Sequence, residues 1–280
     1  MSLNPATGEI SGTPAVSGNF NFTVEVTDAI AQFDSQDLSL TVADWISRYN
    51  GPANGNDQAY TIAVDSLGNV YVTGYSEGSG TGRDYFTVKY NSAGEKLWDA
   101  RYNGPANDSD YGLSIAVDSS GNVYVTGYSV GSGTFYDYAT IKYDSSGEEL
   151  WVSRFNGTGN TYDYAQSIAV DSSGNVYVTG YSPGSGTADD YVTIKYDSAG
   201  NELWVSRYNG PGNATDFGRG IAVDSSGNVY VTGESRGNGT GHDYATIKYD
   251  SAGNELWVSR YNGPGNNRDF ARAITADSYG

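Results

Sequence analysis

Residues 98–151 read WDARYNGPANDSDYGLSIAVDSSGNVYVTGYSVGSGTFYDYATIKYDSSGEELW, a stretch that opens and closes on tryptophan. The same interval of 53 residues separates all five tryptophans of the chain, Trp45, Trp98, Trp151, Trp204 and Trp257. Between them recur, with few changes, W-x-x-R-Y-N-G, I-A-V-D-S-x-G-N-V-Y-V-T-G and D-Y-x-T-x-K-Y-x-S-x-G. A fixed period of this size marks a repeat architecture, so every other residue has to be read within its repeat. Four copies are complete, and a fifth reaches DSYG at Gly280.

Each copy holds four short stretches rich in Val, Ile, Tyr, Thr and Trp. In the quoted copy they are Ser114–Asp118, Asn122–Ser129, Asp137–Tyr143 and Glu149–Asn156. Such residues fit a pleated, half-buried strand. Asp-Ser-Ser-Gly joins the first pair at 118–121 and the last pair at 144–147. Asp closes an Asx turn, and Gly accepts the positive φ at its end. Four antiparallel strands in about 50 residues is the unit of a propeller blade. The expected fold is therefore all-β: a β-propeller over residues 43–280, with blades at about 54–102, 107–155, 160–208 and 213–261 and a partial one at 266–280.

The second strand supports a blade over a solvated sheet. Val123 and Val125 face one way and Tyr124 and Thr126 the other, and neither face is plainly polar. A strand sandwiched between neighbouring sheets has this composition. With the strands lettered A to D from the inside out, the tight turns A–B and C–D share one rim. The longer D–A and B–C connections share the other, called the loop rim below. There the copies differ most. The B–C loops read EGSGTGR (77–83), VGSGTFY (130–136), PGSGTAD (183–189) and RGNGTGH (236–242), and the D–A loops differ at 55–56, 108–109, 161–162, 214–215 and 267–268. Divergence confined to one rim is where selectivity is expected.

Through W-x-x-R-Y-N-G, D-S-x-G-N-V-Y-V-T-G and D-Y-x-T-x-K-Y, residues 44–280 resemble the bacterial β-propeller repeat known as SBBP. The resemblance implies a propeller belonging to large exported or surface proteins of bacteria. It supplies no catalytic residues to transfer.

Residues 1–42 lie outside the repeat. LNPATGEISGTP (3–14) precedes two alternating stretches, FTVEVTD (22–28) and LSLTV (38–42). Alternation between Gly/Pro turns predicts a piece of β-sandwich. The stretch resembles the C-terminal half of the Ig-like (cadherin-like) domain of bacterial surface proteins. Both ends of the chain are thus expected to fall inside domains of a larger protein. Four full blades are then expected to form an open or incomplete ring with exposed edges, which favour association.

Composition narrows the function further. The formal charge of −18, from 33 acidic and 15 basic residues, argues against nucleic-acid and anionic-lipid partners. Cysteine is absent, which excludes disulfides, thiolate catalysis and thiolate metal sites. No apolar run approaches the ~20 residues that span a bilayer, and MSLNPATGE lacks the basic and apolar stretches of a signal peptide. An extracellular or cell-surface location is expected, with any signal peptide upstream.

Five features are candidates for chemistry. Counting back from the C–D turn sets Asp137 opposite Arg154, give or take one residue, and predicts ion pairs there and at Asp84/Arg101, Asp190/Arg207 and Asp243/Arg260. A group copied into every blade reads as structural. Asp57, Asp110, Asp163, Asp216 and Asp269 recur at the entry to strand A. If they converge on the channel mouth they suit Ca²⁺, which takes 6–8 oxygens; otherwise each caps its own turn. The Gly-rich GSGTG at 78–82 precedes no helix, so it is a poor phosphate loop. His242, the only histidine, occupies a variable loop position matching Arg83, Tyr136 and Asp189, and is expected to be solvated. Of the 25 tyrosines, Tyr71, Tyr124, Tyr177 and Tyr230 are expected to pack blades together. Tyr75, Tyr128, Tyr136 and Tyr181, at loop edges, are placed to stack on sugar or contact protein, and with Arg83 and His242 they make up the candidate ligand contacts of the loop rim.

An enzyme should break the repeat at one rim with singular acid, base or nucleophile residues, and none stands out in the sequence. The expectation is a non-catalytic interaction or scaffold module that needs no cofactor and binds a surface protein or glycan through the loop rim. A lectin-like propeller is the nearest variant, and a propeller glycoside hydrolase or lyase is the reading from another class.

Overall fold

The computed structural model describes residues 45–277 and the backbone of four strands ahead of them. The chain divides into two units, Met1–Arg48 and Tyr49–Gly280. In the first, β1 (Ser2–Leu3) pairs antiparallel with β2 (Ile10–Ser11), and β3 (Gly18–Thr27) with β4 (Phe33–Val42). Residues 22–27 of the stretch read as FTVEVTD, and all of LSLTV, are parts of two ten-residue strands. Most of the segment 3–14 lies outside the described residues.

The second unit consists of four four-stranded antiparallel sheets, each built in chain order. Blade 1 holds β5 (Asp57–Val64), β6 (Val70–Gly78), β7 (Gly82–Tyr90) and β8 (Lys96–Tyr102). Blade 2 holds β9 (Asp110–Val117), β10 (Val123–Val130), β11 (Tyr136–Tyr143) and β12 (Glu149–Phe155). Blade 3 holds β13 (Tyr164–Val170), β14 (Val176–Pro183), β15 (Asp189–Tyr196) and β16 (Glu202–Tyr208). Blade 4 holds β17 (Asp216–Val223), β18 (Val229–Arg236), β19 (His242–Tyr249) and β20 (Glu255–Tyr261). The first strands of adjacent blades touch at every step, whereas the fourth strands make no comparable contact, so the first strands lie innermost. This is an all-β propeller.

Strand A differs from expectation. β9 starts at Asp110 instead of Ser114, because pairing with β10 continues past a bulge that leaves Leu113 without a partner. Tyr60, Gln166 and Arg219 are the bulged residues of the other three blades. The glycine of the V-T-G motif permits the bulge: a Cβ on Gly127 would lie 1.9 Å from the carbonyl oxygen of Tyr111. Bulges re-aim the side chains they carry. Here the bulge carries the least repetitive position of strand A.

The A–B turn is held by its aspartate. The two Asp118 carboxylate oxygens accept from the amides of Ser120 and Asn122, the Asn122 side chain and the Tyr124 hydroxyl, all at 2.7–3.0 Å. Val123, Tyr124, Val125 and Thr126 are all fully buried, so both faces of the second strand are covered. Successive blades interlock at the outer edge. Trp151 Nε1 and Lys142 Nζ both donate to the Ser198 carbonyl of the next blade's C–D turn, at 3.2 and 3.1 Å. The Lys142 ammonium also sits 5.1 Å above the Tyr124 ring. Trp98 and Lys89 treat Ser145 in the same way, and Trp204 and Lys195 treat Ser251. The 53-residue tryptophan period is this joint repeated.

The arc is open at blade 1. Ile62 on β5 is 62% exposed, whereas Ile115, Ile168 and Ile221, its counterparts behind a preceding blade, are 7–8% exposed. Strands were expected around Trp45 and Ile274, but residues 45–50 and 269–277 carry no strand pairing. The latter stretch still runs against blade 4, where the Ala273 backbone lies 3.1 Å from the Cβ position of Gly220. No second strand pairs with it among the described residues.

Candidate functional site: the loop rim

Beneath the loop rim each blade carries one polar network. Arg154 donates to Asp137 Oδ2 (2.9 Å), the Ser129 carbonyl (2.8 Å) and hydroxyl (2.6 Å), and Tyr102 Oη (3.0 Å). Arg101–Asp84, Arg207–Asp190 and Arg260–Asp243 lie at 3.0, 3.2 and 3.0 Å. The register differs from the count made on sequence. A bulge at Lys142/Tyr143 sets Arg154 opposite Ala139, and the guanidinium reaches diagonally to Asp137, two residues on. In blade 3 the hydroxyl contact is missing, because Phe155 stands where the other blades have Tyr49, Tyr102 and Tyr208.

The aspartates at the entry to strand A do not converge on an ion. Asp57, Asp110, Asp163, Asp216 and Asp269 each accept from the amide of the glycine six residues earlier, at 2.6–2.9 Å. Among the described residues, no three acidic or histidine side chains are placed to share a metal. Burial pushes the Asp110 carboxyl up to about 6, against the opposing bonds from Ser129 and Gly104. Burial raises Asp163 and Asp216 likewise. In the GSGTG loop, Thr81 Oγ1 donates to Asp84 at 2.9 Å, so that loop braces the ion pair.

Above this layer runs a ladder of aromatic rings that crosses every blade boundary. Its successive centroid distances are Tyr60–Tyr75 6.0 Å, Tyr75–Tyr111 5.3 Å, Tyr111–Tyr128 4.8 Å and Tyr128–Tyr164 4.7 Å. It continues through Tyr164–Tyr181 at 5.2 Å and Tyr181–Phe217 at 4.6 Å. Tyr75 is buried, and Tyr111, Tyr128, Tyr164, Tyr181 and Phe217 are half-buried. At the blade 2–3 boundary a spur reaches solvent. Phe135 and Tyr162, 4.7 Å apart, are 53% and 44% exposed, and Tyr162 stacks parallel to Tyr164. Tyr136 packs on Tyr128 at 4.9 Å. Burial raises the hydroxyls of Tyr128, Tyr136 and Tyr164, which stay neutral hydrogen-bonding groups at neutral pH. Arg83 caps the blade 1 end, with its guanidinium 4.8 Å above Tyr75 and 2.6 Å from Tyr111 Oη.

Blade 4 departs from the pattern. Glu234 stands where Tyr75, Tyr128 and Tyr181 stand in the other blades, and it is 1% exposed. Its Oε1 accepts from Arg219 Nη2 at 2.9 Å and Nε at 3.2 Å, and Arg219 Nη1 also donates to Gln166 of blade 3 at 3.2 Å. The Arg219 guanidinium lies 5.4 Å from the Tyr181 ring and 5.0 Å from that of Phe217. His242 is not solvated as expected. It is 7% exposed, lies parallel to Phe217 and is 3.0 Å from Thr215 Oγ1, because the aromatic row draws it inward. Burial lowers its pKa, and the nearby Arg268 lowers it further.

The sequence reading missed Glu234, Arg219, Phe135 and Tyr162. Their signals were present: TGES at 232–235 where three copies read TGYS, and the bulge position reading Tyr60, Leu113, Gln166 and Arg219.

Comparison with known proteins agrees with this architecture. The model described as "Beta-propeller repeat" (SBBP) matches residues 44–80, 100–133, 150–186 and 203–239, together more than half of the chain. The model described as "Putative Ig domain" matches residues 1–43. No curated protein matches the chain. Among solved structures, a polysaccharide lyase of family PL25, an ulvan lyase, is similar at 12% identity and TM-score 0.48, covering 75% of this chain and 54% of that one. The chain thus spans about half the length of that enzyme. A glucose dehydrogenase is similar at 11% identity and TM-score 0.49, covering 91% and 85%. The propeller domain of the trilobed protease from Pyrococcus furiosus, which has an open velcro topology, is similar at 10% identity and TM-score 0.42, covering 88% and 69%. With its four matched copies of the motif, the chain belongs to the SBBP family of β-propeller repeat proteins.

Proposed function

We propose that this protein is a non-catalytic binding module of a bacterial surface protein, and that it lays an extended saccharide chain along the loop rim. The observation that carries the reading is the aromatic ladder, with the solvent-facing spur of Phe135 and Tyr162. Aromatic rings with one face packed and another wet, the tyrosines among them with a polar tip, suit ligands that are apolar on their faces and hydroxylated at their edges. Sugar rings have that character. A row crossing several blades suits a chain of units better than one small molecule.

The carboxylates repeated in every blade beneath the rim favour binding over catalysis. Asp84, Asp137, Asp190 and Asp243 pair with arginine, and the strand-A aspartates cap backbone. The acidic, cysteine-free composition and the Ig-domain match agree with a place at the cell surface. A glycan array tests the proposal. Saturable binding of one oligosaccharide class, lost in Phe135→Ala/Tyr162→Ala and weakened in Tyr136→Ala, is the expected result. Saturable binding unchanged in these variants, or no glycan binding beside capture of a surface protein through the same loops, would overturn it.

A further inference from the structure

The loop rim is not uniform in charge. In a chain of net charge −18, four arginines at positions that hold none in blades 1 to 3 gather where blade 4 meets the fifth repeat. Arg219 replaces Tyr60, Leu113 and Gln166 and recurs in the fifth copy as Arg272; Arg236 replaces Glu77, Val130 and Pro183; Arg268 replaces Asn56, Ser109, Tyr162 and Thr215. Arg268 and Arg236 both act on His242, whose pKa is lowered by burial, then by Arg268 and, against the opposing Glu234, by Arg236.

The carboxylates nearby are engaged through at least one oxygen each, although Asp243 Oδ1 is buried without a hydrogen bond. Asp216 accepts from the amides of Gly210 and Arg236, Asp243 pairs with Arg260, and Asp269 takes the amide of Gly263. Glu234 spends Oε1 on Arg219. Its buried Oε2 makes no hydrogen bond and lies 3.5 Å from Arg268 Nη2. One buried carboxylate therefore holds two guanidiniums, and the Arg268 side chain is still 57% exposed. Arg236 is exposed as well. Of its counterparts inside the arc, Tyr162 is exposed and Ser109 and Thr215 are half-buried.

We infer that the blade 4 end of the rim recognises an anionic group, a carboxylate or a sulfate ester, on the saccharide that the aromatic ladder carries. This rests on the saccharide reading above. Arg236 and Arg268 are the contacting residues. Glu234 and Arg219 are positioning residues that fix Arg268 beside the last rings of the row. A guanidinium matches a carboxylate or sulfate with paired donors. Local positive charge on an otherwise negative surface also directs an anionic ligand to one end of the groove.

The test is binding of three matched probes: a hexamer of polygalacturonate, its carboxyl-reduced neutral form, and a sulfated version of the neutral form. The wild type is expected to bind at least one anionic hexamer about tenfold or more tightly than the neutral one. That preference should shrink as salt rises, since exposed charges are screened. Arg236→Ala/Arg268→Ala should abolish the preference and leave neutral binding in place, and Phe135→Ala/Tyr162→Ala should weaken all probes alike. Glu234→Tyr restores the residue of the other blades, so its fold has three precedents; it should reduce the preference by releasing Arg268. Whichever anionic hexamer is preferred separates carboxylate from sulfate. Equal binding of neutral and anionic probes, or a preference that survives the double arginine variant, would overturn the inference while the saccharide reading stood. Absence of binding by all three would overturn both.

Discussion

Trp151 seats on Gly200 with no room for a side chain between them: a Cβ on that glycine would lie 2.7 Å from Cδ2 of the indole. Gly200 also has φ +86°, the left-handed region that other residues enter at a cost. One residue thus ends the C–D hairpin of blade 3 and forms the floor for the tryptophan of blade 2. Gly147 and Gly253 do the same for Trp98 and Trp204.

Gly200→Ala should therefore lose stability twice, about 1 kcal/mol for the backbone and about 1–3 kcal/mol for overpacking the joint. Urea unfolding is the measurement. A loss below about 0.5 kcal/mol would show that the indole moves aside freely.

Phe155→Tyr should stabilise the protein. It gives Arg207 the hydroxyl acceptor that Arg154 finds in Tyr102 (3.0 Å) and Arg260 in Tyr208 (2.9 Å). One added hydrogen bond to a charged group is worth about 1–2 kcal/mol. A fall in melting temperature would mean that the blade 3 pocket differs from its siblings.

Arg154→Met should cost about 2–3 kcal/mol, below the full penalty for breaking a buried pair because the arginine keeps some access to water. The cause is Asp137, left buried without its cation. An unchanged melting temperature would remove this network from the account of stability.

Stability should peak in mildly acidic solution. Burial raises Asp110 to about 6, so its folded form binds the extra proton. The stability linked to that proton is complete below the unfolded carboxyl value of about 3.9 and fades as pH rises through about 6. Asp118 and Asp171 act in the opposite sense. Burial is their largest single influence and pushes upward, yet the bonds from asparagine, tyrosine and backbone outweigh it and lower their pKa. Their contribution is present above about 3.9 and is lost as pH falls through their depressed folded values. The melting temperature should therefore decline from about pH 4 toward 7 and also below about 4. Asp110→Asn should flatten the first slope. An unaltered slope in that variant would assign it to general charge repulsion.

The blade was legible because its period, turns and tryptophans repeat. Asp118, Gly121 and Trp151 each have one local or next-blade duty, and a fixed spacing reveals it. The rim was legible only as a place. His242 looked solvated because its loop position varies, and nothing in a linear reading shows Phe217 lying parallel to it. Leu113 and Arg219 fell just before the expected start of strand A, because a bulge is a property of pairing and is invisible until both strands are aligned. The ladder escaped for the same reason: Tyr128 and Tyr164 are 36 positions apart in sequence and 4.7 Å apart in space.

The most direct test of the central claim is hydrogen exchange of the protein with and without a saturating oligosaccharide identified on the array. The account predicts added protection at the loop rim, in residues 130–136 and 159–166, with the turns at 118–121 and 171–174 unchanged. Protection confined to those turns, or spread over the outer strands, would contradict it.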